Sequence, residues 1–492
     1  MGLFKKNNIR VAAFLLAVIC ILGGCAKNDS AGSLAYMQTP SPSAVSTLPA
    51  KDTKADVISY VYTTRRAFAI TFSEMADKST METILDRLDQ YNMKALFYLQ
   101  GMRVAEEPDI ANEILRRGHE IGNAELDNVD LTELDYSDIY DEIQKGSKVI
   151  KEKTGVSPRY LWNRGGKYND DVLFAADACG LDLVKYTINL QSWEDKSAAD
   201  VQSYLENKIT RGGIIALSTQ DPDCALKTID LIAKVSEEMG YSVSSMDDLI
   251  AGSYERKPLT EIPGWDAASV TADTGDGKYQ LIYNGVRNKK IVCLTFDDWG
   301  GDLAVTRILD KLDEYKVKAT FFLRGDGVEA NPNLAKAISD AGHDVANHTF
   351  SHPVLTDITP DEVQEEVVKC HQVLTEAIQK QPAMLFRPPT GEIDRSAAKA
   401  IGACGYGYIS LYDVSPDDWN TENNADDITN YVKQNSTNGS IIVLHLMIQL
   451  DTCKALPQMI EYFQDKGYEI LPLSQMIADG DVELSTQLPA AS

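Results

Sequence analysis

The chain is short of several things at once. It has 6 histidines in 492 residues, no Cys-x-x-Cys pair among its 8 cysteines, and 47 Lys and Arg against 73 Asp and Glu. A net charge of −26 repels a phosphate backbone, so nucleic acid is excluded as a partner and a neutral or amine-bearing polymer fits better. The missing Cys-x-x-Cys spacing excludes a zinc knuckle. A membrane-spanning run is missing at the N-terminus as well: the apolar stretch 11–21 is too short to cross a bilayer.

That stretch is expected to be the apolar part of a secretory leader. Lys5, Lys6 and Arg10 precede it, and Leu22-Gly23-Gly24-Cys25 follows. The small residues before Cys25 resemble the bacterial lipobox, which implies a signal peptide over 1–25 and a lipidated Cys25 that tethers the mature chain to the membrane. Loss of the leader's three cations takes the net charge from −26 to −29. Residues 26–56 are Ser, Thr, Pro, Ala and Lys with hardly a large apolar side chain, the composition of a flexible tether. The expected location is extracytoplasmic and lipid-anchored, with a monomer as the working assumption.

The rest contains itself twice. Ile84-Leu85-Asp86-Arg87-Leu88-Asp89 matches Ile308-Leu309-Asp310-Lys311-Leu312-Asp313, and Gly118-His119 matches Gly342-His343, both at a spacing of 224 that drifts to 227 by Gly240-Tyr241 and Gly467-Tyr468. Domains are expected over 57–250 and 285–480, with a linker over 251–284 and a tail over 481–492. In the second half, β-rich runs at 291–296, 319–323, 344–347, 384–386, 406–412, 441–446 and 468–473 alternate with helical stretches. One of these opens on the capping box Thr359-Pro360-Asp361-Glu362. Such alternation predicts an α/β fold with a parallel sheet, most simply closed as a barrel.

The chemistry gathers at the ends of those runs. Thr295-Phe296-Asp297-Asp298 ends a buried strand on two acids; one can ligate a cation while the other handles a proton, since successive side chains point to opposite sides. His348 and His352, four apart, can converge on one ion and with a carboxylate leave positions open for water. Arg387 is stiffened by Pro388-Pro389, Asp417-Asp418-Trp419 ends another run, and His445 closes an apolar one.

The ordered series TFDD, NHTFSH, RPPTG, DDW and LH resembles the five motifs of the polysaccharide deacetylases with NodB homology, carbohydrate esterase family four. The resemblance spans about 289–477 and implies two tandem distorted (β/α) barrels of the NodB type. It implies Asp297 as catalytic base, Asp298, His348 and His352 as ligands of a divalent metal, usually Zn2+ with Co2+ as an alternative, and Arg387 as tuner of Asp297. It also implies the Thr390 backbone N–H as an oxyanion donor and His445 as the acid, supported by Asp418 and Trp419. The expected reaction removes N-acetyl groups from a cell-wall or extracellular polysaccharide such as peptidoglycan or a chitin-like polymer. An O-acetyl esterase acting on acetylxylan, or a non-catalytic glycan-binding lipoprotein, is the alternative. Trp299, Thr390, Ser415 and Leu446 depart from the family pattern, which bears on substrate shape; Trp299 is a sugar platform, or else a core or lid residue.

At the 224 spacing Asp297 and Asp298 fall on Ser73 and Glu74, His348 and His352 on Ala124 and Asn128, and Arg387 on Asn163; His445 falls on Ser218. The first half is therefore expected to bind no metal and hydrolyse nothing, with Trp162, Trp193 and Tyr168 as a weak hint of sugar contact. His119 and His343 are expected to be structural, His371 a surface residue, and Cys293 and Cys370 core. Cys179–Cys224 and Cys404–Cys453 are equally open to disulfides or thiols.

Overall fold

The computed structural model describes residues 48–193, 196–447 and 449–488. The leader, Cys25 and most of the expected tether lie outside the described residues. Residues 49–492 form one compact unit holding both halves.

Each half is a curled, mainly parallel sheet flanked by helices; seven strands follow the same order in both, with Ile188–Asn189 added at one edge of the first sheet and Val482–Ser485 at the opposite edge of the second. In the second half the path runs Ser440–His445, Ile291–Asp298, Thr320–Leu323, Asp344–Asn347, Leu385–Phe386, Tyr408–Ser410, Gln280–Gly285. The central strand Ile291–Asp298 is buried on both faces, which is why it reads as an unbroken apolar run. The two ends of the curl meet where the Gly285 N–H donates to the Gly439 carbonyl at 2.7 Å. Helix Pro360–Ile378 starts on the expected capping box and buries Val363, Val367, Cys370 and Leu374; Cys293 is core as well.

Three boundaries differ from the sequence expectation. Gln280–Gly285, expected in the linker, is a sheet strand, and Val482–Ser485 of the expected tail pairs with it antiparallel. Leu281, Ile282 and Tyr283 suit a strand, but the run is short and closes on Asn284-Gly285, and partners on both sides fix it in the sheet. At the other end, Val57–Ile58 pairs with Asp182–Val184, and Ala55 just before it donates to the Leu173 carbonyl at 3.1 Å, so the last residues of the expected tether already belong to the fold.

His119 and His343 are structural, as expected. Each is buried, accepts the N–H of Ala95 or Ala319 on Nδ1 (3.2 and 3.1 Å), and lies edge-on to Phe97 or Phe321. His371 is a correction: it is buried, bonded to the Tyr406 hydroxyl and the Gly264 carbonyl, both at 2.8 Å. The connector around Gly264 covers a helix face that looks solvent-bound in the sequence. Cys179, Cys404 and Cys453 are thiols, so neither disulfide forms.

Candidate active site

Parallel pairing sets the stage. Asp297 stands in register with His445 on one neighbouring strand and with Phe322 on the other, so base and acid candidates reach the same sheet edge from adjacent strands. Asp297 is 5% exposed, and its Oδ1 accepts Nη1 of Arg387 at 2.7 Å. Arg387 is wholly buried. It also donates to Thr295 Oγ1 (2.6 Å), Ser410 Oγ (3.2 Å) and the Leu411 carbonyl (3.1 Å), and its guanidinium lies 4.2 Å from the Phe322 ring centre. This satisfies a charge that would otherwise be costly to bury. Burial pushes the Asp297 carboxyl up against the opposing pull of Arg387 and His445, which raises its affinity for a proton.

At Asp298 the strand turns into the left-handed region (φ 74°), which separates its carboxylate from that of Asp297. The loop after Asp344–Asn347 turns left-handed at Thr349 (φ 65°) and His352 (φ 64°), and its turn is held by Thr349 N–H to Asn347 Oδ1 and His352 N–H to Thr349 Oγ1, both 3.0 Å. The result brings His352 Nε2 to 3.2 Å and His348 Nε2 to 3.9 Å from Asp298 Oδ1. Ligand atoms of all three lie within 4.8 Å of one another.

The donor chemistry fits a divalent cation. His348 Nδ1 is 2.8 Å from the Arg387 carbonyl, which can only accept, so the proton is on Nδ1 and Nε2 presents a lone pair. Burial holds the His348 pKa well below the usual imidazole range, keeping the ring in the neutral form that ligates. No other such cluster of His, Cys, Asp or Glu occurs among the described residues.

Across the site, His445 Nδ1 meets Asp418 Oδ1 at 2.7 Å. Asp418 is buried, and its Oδ2 accepts the His445 backbone N–H (2.8 Å) and the Thr452 hydroxyl (2.5 Å). Burial alone would lower the His445 pKa, but the hydrogen bond and charge of Asp418 outweigh it and hold the ring above its ordinary value. Thr390 adopts φ 58° in the turn Pro389–Gly391, Trp419 is 54% exposed beside Asp418, and Trp299 is half-buried against the apolar core with its ring over Gly327. Sequence reasoning missed Thr295, Ser410 and Thr452, hydroxyls that complete the shells of Arg387 and Asp418. Only contact in space reveals them.

In the first half Trp162 is buried against Tyr98, and Trp193 packs on the core with Nε1–H on Thr228 Oγ1 (2.7 Å), which removes both as sugar platforms. Tyr168 is exposed.

A carboxylate and two imidazoles around one point, flanked by an unligated acid and a carboxylate-backed histidine, define a hydrolytic site of the acid–base type. The family model for polysaccharide deacetylases matches residues 61–184 and 284–409, one segment in each half. The peptidoglycan-N-acetylglucosamine deacetylase of Bacillus cereus is 38% identical over 218 residues, 43% of this chain and 77% of that protein. The peptidoglycan-N-acetylmuramic acid deacetylase of Bacillus subtilis is 30% identical over 210 residues, 42% of this chain and 79% of that protein. A crystal structure of a peptidoglycan N-acetylglucosamine deacetylase is 35% identical, with a TM-score of 0.39 over 40% of this chain and 92% of that one. The chain belongs to the polysaccharide deacetylase family, and its fold is two NodB-type domains in tandem.

Proposed function

We propose that the second half removes N-acetyl groups from peptidoglycan or a chitin-like strand, that it does so with a divalent metal, Zn2+ in the first instance, and that the first half has no chemistry. The observation that carries this is the convergence of Asp298, His348 and His352, with Asp297 left unligated beside them. The names of the relatives support the substrate class.

Asp298, His348 and His352 would hold the cation, which would supply Lewis acidity to activate water and polarise the substrate carbonyl. The protein's own groups do the rest. Asp297, held by Arg387, takes the proton of the attacking water. The Thr390 N–H donates to the oxygen that gains charge, a contribution of about 3 kcal/mol per donor in comparable sites. An amine is a poor leaving group, so His445 must deliver a proton to its nitrogen; Asp418 favours the protonated ring and orients it. Exposed Trp419 offers a face for the sugar. On this reading the leader and Cys25 tether the enzyme outside the cytoplasm, within reach of the wall.

The test is acetate release by the purified chain, with zinc and with cobalt, from peptidoglycan, N-acetylglucosamine oligomers and acetylxylan. Metal-dependent release from the first two is expected. Release from acetylxylan alone would replace the amidase by an esterase, and no release with either metal would overturn the reading.

A further inference from the structure

The inactive half grips the metal-ligand edge of the active one. Asp302 opens helix Asp302–Glu314 four residues after Asp298, and it is 1% exposed. Its cationic partner is Arg211 of the first half. The Arg211 guanidinium and its backbone N–H (3.1 Å) both donate to the carboxylate, as do the Tyr241 hydroxyl of the first half and, from the second half, Asn331 Nδ2 (3.1 Å) and the Thr306 hydroxyl (3.2 Å). The next residue, Leu303, lies in the apolar core of the first half. Arg211 is itself held, since its carbonyl accepts Asn333 Nδ2 from the second half at 2.8 Å.

Only Trp299, Gly300 and Gly301 separate this anchor from Asp298. That segment has little slack. Any side chain at Gly300 would collide with the carbonyl of Leu446, the residue after His445, and the Trp299 ring fills the space beside Gly327. With both Trp299 and Gly300 packed in this way, a shift at Asp302 is passed along the segment toward Asp298. The anchor is not demanded by the fold. Lys78 holds the position of Asp302 in the first half, and there it lies exposed, 3.8 Å from Glu82.

We propose that Arg211 and Tyr241 are positioning residues: through Asp302 they fix the 298–301 loop, so the half without chemistry sets the geometry of the metal ligands in the other. This rests on the metal-dependent reading above. Buried ion pairs contribute little net stability against apolar replacements, and a role in fixing geometry accounts for one at this place.

The experiment uses the full chain loaded with Co2+ and compares wild type, Arg211→Lys, Arg211→Met and Tyr241→Phe at a temperature where circular dichroism shows each folded. Arg211→Met is expected to bind cobalt up to about 10-fold more weakly, the low end of the range for a group bonded directly to a ligand, because it acts one step further out through Asp302. Its ligand-field absorption should change and kcat should fall with KM little altered. Arg211→Lys should recover part of each, and Tyr241→Phe should show a smaller loss of the same kind. Unchanged cobalt affinity and spectrum in folded Arg211→Met would make Arg211 a stability residue and overturn the proposal. Should that variant not fold, unchanged affinity in Tyr241→Phe does the same. Wild type separates the two readings: cobalt binding without acetate release defeats the deacetylase assignment alone, whereas no cobalt binding defeats both.

Discussion

At the end of the central strand of each half the backbone turns left-handed on an acid, with φ of 72° at Glu74 and 74° at Asp298. The same pairing recurs at Glu125 and Thr349 (54° and 65°) and at Asn128 and His352 (53° and 64°), each 224 residues apart. Non-glycine residues there cost roughly 1–3 kcal/mol each and persist only where the surroundings over-determine them. Because the first half keeps these turns without counterparts of His348 and His352, sheet and loop packing sets them, not metal ligation. What changed is charge, and it changed in partners. Where the second half buries Asp297 against Arg387, the first has Ser73, which accepts Gln191 Nε2 at 2.9 Å, and Asn163, which donates to the Lys167 carbonyl at 3.0 Å. Burial pushes the Glu125 carboxyl up to about 9, so it is neutral at pH 7. With no buried carboxylate at Ser73, the first half has no charge for a guanidinium at Asn163 to balance.

The largest expected effect breaks the comparison at its metal ligands. His348→Ala should leave the chain without stoichiometric metal and without acetate release, a loss beyond the roughly 10–100-fold of an outer partner. Ala124→His, the reciprocal change, should add no second equivalent of metal, because Asn128 supplies no imidazole. Atomic absorption on the dialysed proteins decides both. A smaller effect comes from the acid: His445→Ala should keep its metal and lose about 10²- to 10⁴-fold in kcat. Ser218→Ala, at the matching register position opposite Ser73, should change neither.

Much of this was legible in the sequence because it repeats at fixed spacing. Seven strand-forming runs, the duplication and the candidate trio Asp298, His348 and His352 are all marked by sequence spacing alone. Illegible were features that depend on what covers a surface. His371 looks solvent-exposed until the Gly264 segment is placed over it, and Trp162 and Trp193 look like sugar platforms until their ring contacts are known. Gln280–Gly285 contains Leu281, Ile282 and Tyr283 but is short and ends on Asn284-Gly285, so the strands that flank it on both sides define it as part of the sheet. Asp302 is not repeated in the first half, where Lys78 holds its position, and Arg211 sits 91 residues away from it, so nothing in the chain marks the two as partners.

The smallest effect concerns a feature the halves share. His119 and His343 are buried, and burial takes both from about 6.5 to about 4, with Lys94 or Lys318 adding to the fall. Both rings accept a backbone N–H on Nδ1, so protonation removes the acceptor as well as placing a charge in the core. The unfolded chain binds these protons first as pH falls below about 6.5. Stability held above that pH is therefore lost on acidification toward pH 4, by up to about 1.4 kcal/mol per pH unit for each ring. His119→Asn and His343→Asn, which keep an acceptor but not the titration, should each flatten the acid slope of urea unfolding. If the buried Arg211–Asp302 contact makes the halves unfold together, the two substitutions flatten one common transition equally. Separate transitions, each answering to its own histidine, would show that the halves melt independently despite their interface.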